Sequence, residues 1–453
     1  MKILIQNRKI DQMIKTYFFL SSFMFMYATL VSFLFVKWVV PVYGYTGLSI
    51  KIDYLNLLLS VLYLLIITML INLNNNKIKV LFQNLLIMQS IIPMLCLYSF
   101  TSEFSKLDNF VLIFICSTIM ISIVLLIKTK SKDLHVNSKL KTKINIVLLL
   151  LVLITLTRYI INNGFKIFNL NFAEVYDYRL VLRETMSGYM AYIDSWVFKI
   201  FNPTCIALTL HFKQKILFVF FIVMQILLYG FSSHKSVLFT GVIVVAFYYL
   251  TPYILKNKYN LLKMAISANL IATVLWKMNV SGYFCSIYNR LIFTPARINY
   301  YYYEYFSKNG FDWFSQSFLR KFTQSNYELL LPRLIGLEYY GNAQTNANTG
   351  FLGFGYAQGG FFVVIVYSIL VALLIIIISS IAKKISPRLV LSISIFPILS
   401  LFISGDLPTS LLTGGIIIML IILYLLSLDR TINLITIKTK GIFCNTKSKK
   451  ALN

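Results

Sequence analysis

The sequence predicts an all-α, polytopic membrane protein that forms one membrane domain over residues 1–453. Of its 453 residues, 58% are hydrophobic and only 13% are charged, which lies outside the usual range of soluble globular domains. Apolar runs of the length that a bilayer requires recur along almost the whole chain. Lysine-rich clusters lie between alternate runs, as expected where basic residues set the orientation of membrane helices.

Apolar runs bounded by polar clusters predict about twelve transmembrane crossings. They are residues 17–40, 54–72, 80–100, 108–128, 144–162, 188–210, 214–230, 236–254, 261–278, 358–382, 388–404 and 410–428. Two larger polar segments, 162–187 and 280–357, interrupt this series, whereas most other connections are short. Because long ordered loops on a rigid scaffold usually hold functional sites, we expect function in these two segments.

Lysine placement predicts that both termini lie in the cytoplasm. The two termini and alternate loops contain 23 of the 32 lysines but only three of the fifteen acidic residues. Because lysine accumulates on the cytoplasmic side, both large polar segments face the opposite, outer side. Topology therefore explains the net charge of +27, and we expect no nucleic-acid partner.

The arginines do not follow the lysines. Seven of ten lie on the predicted outer side or at its membrane edge: Arg158, Arg179, Arg183, Arg290, Arg297, Arg320 and Arg333. Positive charge is normally selected against there, so arginine favours a site for planar, bidentate recognition of phosphate or carboxylate. Alternatively, these arginines pair with the twelve acidic residues of the same side and merely order the loops.

In the first large segment, Arg179 and Arg183 are four residues apart. If the segment is helical, both guanidinium groups lie on one face and could hold a diphosphate. The alternative is an amphipathic helix at the membrane interface, held by local ion pairs with Asp177 and Glu184.

In the second segment, Arg290 and Arg297 lead into a run of tyrosines at 300–303 and Glu304. Thr294 and Pro295 predict a helix start, with threonine as N-cap and proline in the first turn. Arg297 and Glu304 would then share a face with the tyrosines, among them Tyr301. Aromatic rings with polar tips suit sugar binding, although tyrosine is also enriched at membrane interfaces.

Further along this segment, Arg320 and Arg333 precede the amide-rich residues 341–350. Asn348 and its neighbours could offer neutral hydrogen bonds to a substrate, or the stretch could be a flexible turn. Gly355 and Gly359 have the small-xxx-small spacing that allows close helix packing.

Two polar pairs lie near the predicted ends of crossings. His234 and Lys235 open the eighth crossing at its outer end, where the helix dipole favours anions, although a lone histidine is commonly structural. Asp194 and Lys199 lie in the sixth crossing and are costly in hydrocarbon unless they face partners or a cavity.

Signatures of nucleotide and metal chemistry are absent from the sequence. It contains no Gly-rich phosphate loop, dinucleotide-binding fingerprint, HExxH motif or Asp-x-Asp pair, and its five cysteines show no paired spacing. We therefore expect a reaction without a nucleotide, a metal or another cofactor.

With these features the chain resembles the O-antigen polymerases, the Wzy family of bacterial membrane glycosyltransferases. The resemblance rests on the crossings with two large outer segments and on the Arg and Tyr pattern of residues 289–306. It also rests on Ser-His-Lys-Ser at 233–236 and on Asn-Ala-Asn-Thr-Gly-Phe-Leu-Gly at 346–353. It extends over nearly the full length and implies a GT-C-like fold in the bacterial inner membrane.

The resemblance implies polymerisation of undecaprenyl-diphosphate-linked oligosaccharide units at the periplasmic face, in lipopolysaccharide O-antigen biosynthesis. Donor and acceptor would both be lipid-linked, and a chain-length regulator protein is left open as a further partner. The family has essential arginines in both large loops, in an Arg-x-Gly type pattern. Arg320 to Gly336 fits that pattern better than Arg183 to Gly188 does.

A sugar on a lipid diphosphate already has a good leaving group, so catalysis requires positive charge for the diphosphate and a base for the acceptor hydroxyl. Arg290 and Arg297 are the catalytic candidates for the first task, and Glu304 and Glu338 for the second. Glu174 and His234 are further candidate bases. The substrate-binding candidates are Arg179, Arg183, His234, Lys235, Tyr301, Arg320, Arg333 and Asn348.

Two other functions share many of these features. A lipid-linked oligosaccharide flippase can also have about twelve helices, although transporters usually show internal repeats and interrupted helices around a midplane site. An O-antigen ligase would use the same donor and differ in its acceptor, so the sequence separates it poorly from a polymerase.

Overall fold

The computed structural model describes residues 2–128, 140–163, 168–171, 189–278, 282–317, 325 and 327–428. This part of the chain is mostly α-helical and contains no β-strand, only an isolated antiparallel bridge between Ile50 and Thr101. The predicted all-α class is therefore confirmed. The chain divides into two compact units. Unit 1 comprises Met1–Lys128, Tyr253–Ile376 and Leu399–Pro408, and unit 2 comprises Thr129–Pro252, Ile377–Ile398 and Thr409–Asn453.

The described helices follow the predicted apolar runs closely. In chain order they are α1 (Lys2–Leu34), α2 (Val40–Tyr43), α3 (Tyr54–Leu73), α4 (Lys77–Leu86), α5 (Ile92–Phe100), α6 (Asp108–Leu125), α7 (Leu140–Asn163), α8 (Tyr189–Trp196), α9 (Asn202–His211), α10 (Lys215–Ser232), α11 (Lys235–Ile254), α12 (Asn260–Lys277), α13 (Gly282–Asn309), α14 (Leu331–Tyr340), α15 (Phe351–Lys384), α16 (Pro387–Ile403), α17 (Leu407–Leu411) and α18 (Ile416–Ser427).

Within the described residues, eight helical stretches are long and apolar enough to cross a membrane. They are Ile10–Thr46, Tyr54–Leu73, Lys77–Phe100, Asp108–Leu125, Lys215–Ser232, Lys235–Ile254, Phe351–Lys384 and Leu407–Ser427, and two shorter apolar helices are Val147–Ile161 and Pro387–Ile403. The polytopic membrane architecture is thus supported. Twelve crossings, the GT-C-like fold and the orientation of the termini stay predictions.

Three helical stretches contain a π-turn directly before a proline. The π-turns are Phe35–Val39, Ile87–Ile91 and Val197–Phe201, and a proline follows each at the second residue of the next α-helix. Proline lacks a backbone N–H and its ring presses on the preceding turn, so the wider π geometry lets the helix continue. The described part of the predicted sixth crossing, residues 189–210, is therefore helical through Pro203 rather than broken by it.

The predicted helix start at Thr294 and Pro295 is wrong, because α13 already begins at Gly282 and contains Pro295 in its interior. The hydroxyl of Thr294 donates to the carbonyl of Asn289 (3.2 Å), so Thr294 bonds back to the preceding turn of α13 instead of capping a helix start. The second large segment is thus largely helical, since α13 and α14 occupy much of it.

Helix α15 is interrupted at Gly359 and Gly360, and Gly360 has the left-handed φ of +65° that favours glycine. A side chain at Gly355 would contact the Tyr367 ring at 3.0 Å and the Val364 backbone at 3.5 Å. The chain therefore folds back closely on itself at the break. The small residues predicted to pack helices together instead permit this reversal.

The predicted orientation can be tested by labelling single cysteines, introduced into a variant whose five native cysteines are serine. Glu328 and Asn257 are both exposed but lie in connections predicted on opposite sides of the membrane. In spheroplasts, an impermeant maleimide should label Glu328→Cys, and it should label Asn257→Cys only after lysis. The reverse pattern would place residues 280–357 in the cytosol and contradict the predicted topology.

Candidate functional site

The candidate site lies in unit 1 on α13, around a buried arginine. Arg297 is only 6% exposed, and its two terminal nitrogens donate to the Thr46 hydroxyl (3.1 Å), the Thr46 carbonyl (3.2 Å) and the Tyr301 hydroxyl (2.8 Å). Arg297 and Tyr301 meet because residues four apart share a helix face. The Nε atom of Arg297 is buried and has no hydrogen-bond partner among the described residues.

A carboxylate from a different segment completes this polar cluster. The Tyr301 hydroxyl also lies beside the carboxyl group of Glu103, which belongs to the turn between α5 and α6. Glu103 keeps more than a third of its surface in solvent, yet partial desolvation by its neighbours raises the pKa of its carboxyl. The charge of Arg297 and the nearby Tyr301 hydroxyl oppose that rise in pKa, and the negative charge of Glu304 adds to it.

The turn that contains Glu103 is anchored on both sides. Phe104 is buried, and its ring stacks on that of Tyr300 in α13 with centroids 4.5 Å apart. On the other side, the backbone N–H of Lys51 donates to the Phe100 carbonyl (3.0 Å), beside the bridge between Ile50 and Thr101. The stacked ring and the backbone bonds fix Glu103 next to α13 despite its exposure.

Two tyrosines of α14, Tyr339 and Tyr340, pack against this cluster. The ring of Tyr339 stacks on that of Tyr301, with centroids 4.2 Å apart and planes at 12°, and Tyr340 meets Tyr301 edge-on at 6.1 Å. The Tyr339 hydroxyl lies beside Glu304, whose carboxylate accepts a hydrogen bond from the Lys308 ammonium (2.8 Å). Stacked rings with hydroxyl tips beside carboxylates are a chemistry suited to sugars.

Residues 345–350 support α13 from another direction. The Tyr302 hydroxyl donates to the Ala347 carbonyl (3.2 Å), and the Thr349 hydroxyl donates to the Asn299 side chain (2.7 Å). These contacts are buried, so the amide-rich segment is a fixed packing element at Ala347 and Thr349. Asn348 between them is exposed.

A second cluster in unit 1, which contains the acidic residues Asp312 and Asp406, lies at the break in α15. The carboxylate of Asp406 accepts hydrogen bonds from the Tyr367 hydroxyl (3.1 Å) and the Leu407 backbone (2.8 Å). Burial, with a smaller contribution from the negative charge of Asp312, raises the pKa of Asp406 to about 7. Asp312 is itself buried and accepts from the Ser315 hydroxyl. Near neutral pH, Asp406 is thus in part a neutral acid.

The structure brings some of the predicted site residues together and leaves others apart. Arg297, Tyr301 and Glu304 belong to the cluster on α13. Arg290 is exposed on the same helix, about two turns before Arg297. On α14, Glu338 is exposed, and Arg333 is half-buried with an Nε that has no partner among the described residues.

His234 and Lys235 lie in unit 2, with His234 exposed just before α11 and Lys235 as its first residue. Asp194 is also in unit 2, where it forms an ion pair with Arg158 and accepts from the Tyr159 hydroxyl (3.2 Å). Arg158 and Asp194 are therefore each explained by their ion pair, which is the alternative in which an arginine pairs with an acidic residue of the same predicted side. Arg179, Arg183, Arg320 and Glu174 lie outside the described residues.

Sequence reasoning missed four residues of the two clusters, namely Thr46, Glu103, Asp312 and Asp406. Charge alternation predicts that the short connections 41–53, 101–107 and 405–409 lie on the outer side, and these contain three of the four. Acidic residues in connections predicted on the outer side are thus a usable signal, although no sequence spacing relates Glu103 to Arg297.

No protein family, curated protein or solved structure matches the chain.

Proposed function

We propose that the chain is a membrane glycosyltransferase that polymerises lipid-diphosphate-linked oligosaccharide repeat units on the outer face of the bacterial inner membrane. Both substrates would be linked to undecaprenyl diphosphate, so the lipid tails stay in the bilayer while the sugars meet above it. The observation that supports this function best is the cluster of Arg297, Tyr301 and Glu103 beside the stacked ring of Tyr339.

Each part of the cluster has a task in glycosyl transfer. The tyrosine rings offer apolar faces to sugars, and their hydroxyls and the nearby carboxylates offer hydrogen bonds. A carboxylate in reach of the acceptor can take the proton of its hydroxyl. The guanidinium of Arg297 supplies a positive charge next to this carboxylate in a partly desolvated environment, where electrostatic effects are larger than in water.

The arrangement changes the role that we assign to Arg297. Its terminal nitrogens are occupied by Thr46 and Tyr301, so it acts first by fixing the Tyr301 hydroxyl. A buried N–H without a partner costs about 1–3 kcal/mol, and the Nε of Arg297 is such a group. A substrate anion that drew the guanidinium toward itself would relieve this cost, whereas the diphosphate clamp of Arg179 and Arg183 stays a prediction.

Elongation by the purified protein tests this function directly. The protein would be reconstituted in liposomes with a single synthetic repeat unit on undecaprenyl diphosphate, and the products separated by size. We expect a ladder of longer lipid-linked oligosaccharides, with Glu328→Gln as a control that retains the ladder, because Glu328 is exposed and lies outside the cluster. A single unextended band from well-folded protein would contradict the proposal.

One observation favours a second candidate function, the transport of lipid-linked oligosaccharide. Interrupted helices are typical of transporter sites, and α15 is interrupted at Gly359 and Gly360 near the buried acids Asp312 and Asp406. The same liposomes separate the two functions. A transporter would make a fluorescent lipid-linked oligosaccharide on the inner leaflet accessible to an external quencher and leave its length unchanged.

The ligase alternative differs only in its acceptor. Adding purified lipid A core to the elongation assay would reveal it, because a ligase would move the glycan onto the core and release undecaprenyl diphosphate. A polymerase would extend the lipid-linked chain whether or not the core is present.

A further inference from the structure

We propose that Glu103 is the catalytic base of the transfer and that Tyr301, held by Arg297, positions its carboxylate. This inference rests on the proposed function, because it assigns a residue to the reaction of the same site. Sequence reasoning offered Glu304, Glu338, Glu174 and His234 for this task, and Glu103 was not among them.

The geometry distinguishes Glu103 from the other acids on or beside α13. Glu304 already accepts a hydrogen bond from the Lys308 ammonium and lies beside the Tyr339 hydroxyl, so its carboxylate already has a cationic partner. Glu338 is exposed on α14. Glu103 instead combines an exposed side chain, which a substrate can reach, with a neighbouring hydroxyl that a buried arginine holds in place.

The anchoring of Glu103 also meets the requirement that a base be positioned before the substrate arrives. The turn is fixed by the stacking of Phe104 on Tyr300 and by backbone bonds to residues 50–53. Ordering a flexible acid during the reaction would cost conformational entropy, and this cost is avoided when the fold has already fixed the backbone.

The proposed step is a direct displacement at the anomeric carbon of the donor. The acceptor hydroxyl oxygen forms the new bond to that carbon, and its proton passes to the Glu103 carboxylate. The bond between the anomeric carbon and the phosphate oxygen breaks, and its electron pair leaves with undecaprenyl diphosphate. Glu103 then loses the proton to water, which restores the starting carboxylate.

The charged and titratable groups around Glu103 give this step a signed pH dependence. A base must be deprotonated, so activity should rise with pH through the pKa of Glu103, which partial desolvation holds above the usual range of a glutamate. Arg297 and Tyr301 lower the pKa of Glu103, and Glu304 raises it. Tyr340 is also nearby, since the charge of Glu103 raises the pKa of the Tyr340 hydroxyl. Removing Tyr301 or Glu304 should therefore move the pKa of Glu103 in opposite directions.

The test compares pH profiles of kcat/KM in the elongation assay for four variants and wild type. Glu103→Gln should lower the rate by about 10²–10⁴-fold, the usual contribution of a general base, and should remove the rise with pH. Tyr301→Phe should shift the rise to higher pH, and Glu304→Gln should shift it to lower pH. Glu328→Gln should behave as wild type.

The outcomes separate the base assignment from the proposed function. If wild type does not elongate, the proposed function fails. If wild type elongates and Glu103→Gln does so at the wild-type rate with the same profile, Glu103 is not the base. If Glu103→Gln does not fold, the pH profiles of Tyr301→Phe and Glu304→Gln still test the assignment. If Glu103 has only a structural role, these two variants should be slower, but their activity should rise with pH over the same range as in wild type.

Discussion

Arg297→Ala is expected to abolish elongation while the protein stays inserted and abundant. The guanidinium makes three hydrogen bonds that fix the Tyr301 hydroxyl and join α13 to Thr46. Hydrogen bonds of charged groups contribute about 1.5–3 kcal/mol each, so we expect a loss of at least about 100-fold in rate. Protein amount and size-exclusion behaviour, measured beside the product ladder, distinguish lost catalysis from lost folding.

Arg297→Lys is expected to restore little of this activity. A single ammonium group lacks the planar fork that reaches both Thr46 and Tyr301 at once, although it keeps the positive charge. Lys277→Ala, which removes an exposed cation at the end of α12, should elongate normally. A long ladder from both Arg297 variants would remove Arg297 from the site.

Arg290→Ala should reduce elongation less than Arg297→Ala does. Sequence pattern treats these two arginines as equivalent catalytic candidates, because both precede the tyrosine run at helical spacing. In the structure Arg290 is exposed, whereas Arg297 is buried with three hydrogen bonds. Spacing along a helix predicts a shared face, but the depth of burial depends on what other segments pack against that face.

That distinction also explains which parts of the site the sequence could predict. Arg297, Tyr301 and Glu304 lie on one helix, and the 3.6-residue period alone relates them. Glu103 joins them because Phe104 inserts beside Tyr300, a tertiary contact between segments far apart in the chain. No local sequence pattern encodes such a pairing.

In the fold, too, local sequence rules predict some features and fail where tertiary packing decides. The length of each hydrophobic run predicts the position of a membrane helix, because a bilayer requires a continuous apolar segment and such a segment can be identified without knowing its tertiary contacts. Local rules fail at the proline positions. Thr294 and Pro295 form a plausible helix start, yet α13 continues through them, because Phe293 and Ala296 on either side of the proline are buried in tertiary contacts that a local rule does not include. Similarly, glycine spacing predicts close packing near Gly355 but not the reversal at Gly360.

Gly350→Ala is expected to destabilise the protein strongly. An ideal Cβ at Gly350 would lie 2.0 Å from the carbonyl oxygen of Phe402 and 2.6 Å from its carbonyl carbon. Both are backbone atoms, so no side chain can rotate away, and α15 would have to move from the end of α16. Overpacking of a tight contact costs about 1–3 kcal/mol and sometimes more, and here the higher end applies.

The displacement should also reach the site, because Gly350 directly follows Thr349, whose hydroxyl donates to Asn299 on α13. Gly44→Ala is the matched control, since a Cβ there meets no atom within 4 Å and its backbone is helical. Thermal unfolding in detergent should give a midpoint lowered by several degrees for Gly350→Ala and an unchanged midpoint for Gly44→Ala. Equal midpoints for the two variants would mean that α15 and Phe402 do not approach this closely, and the support that residues 345–350 give to α13 would have to be reconsidered.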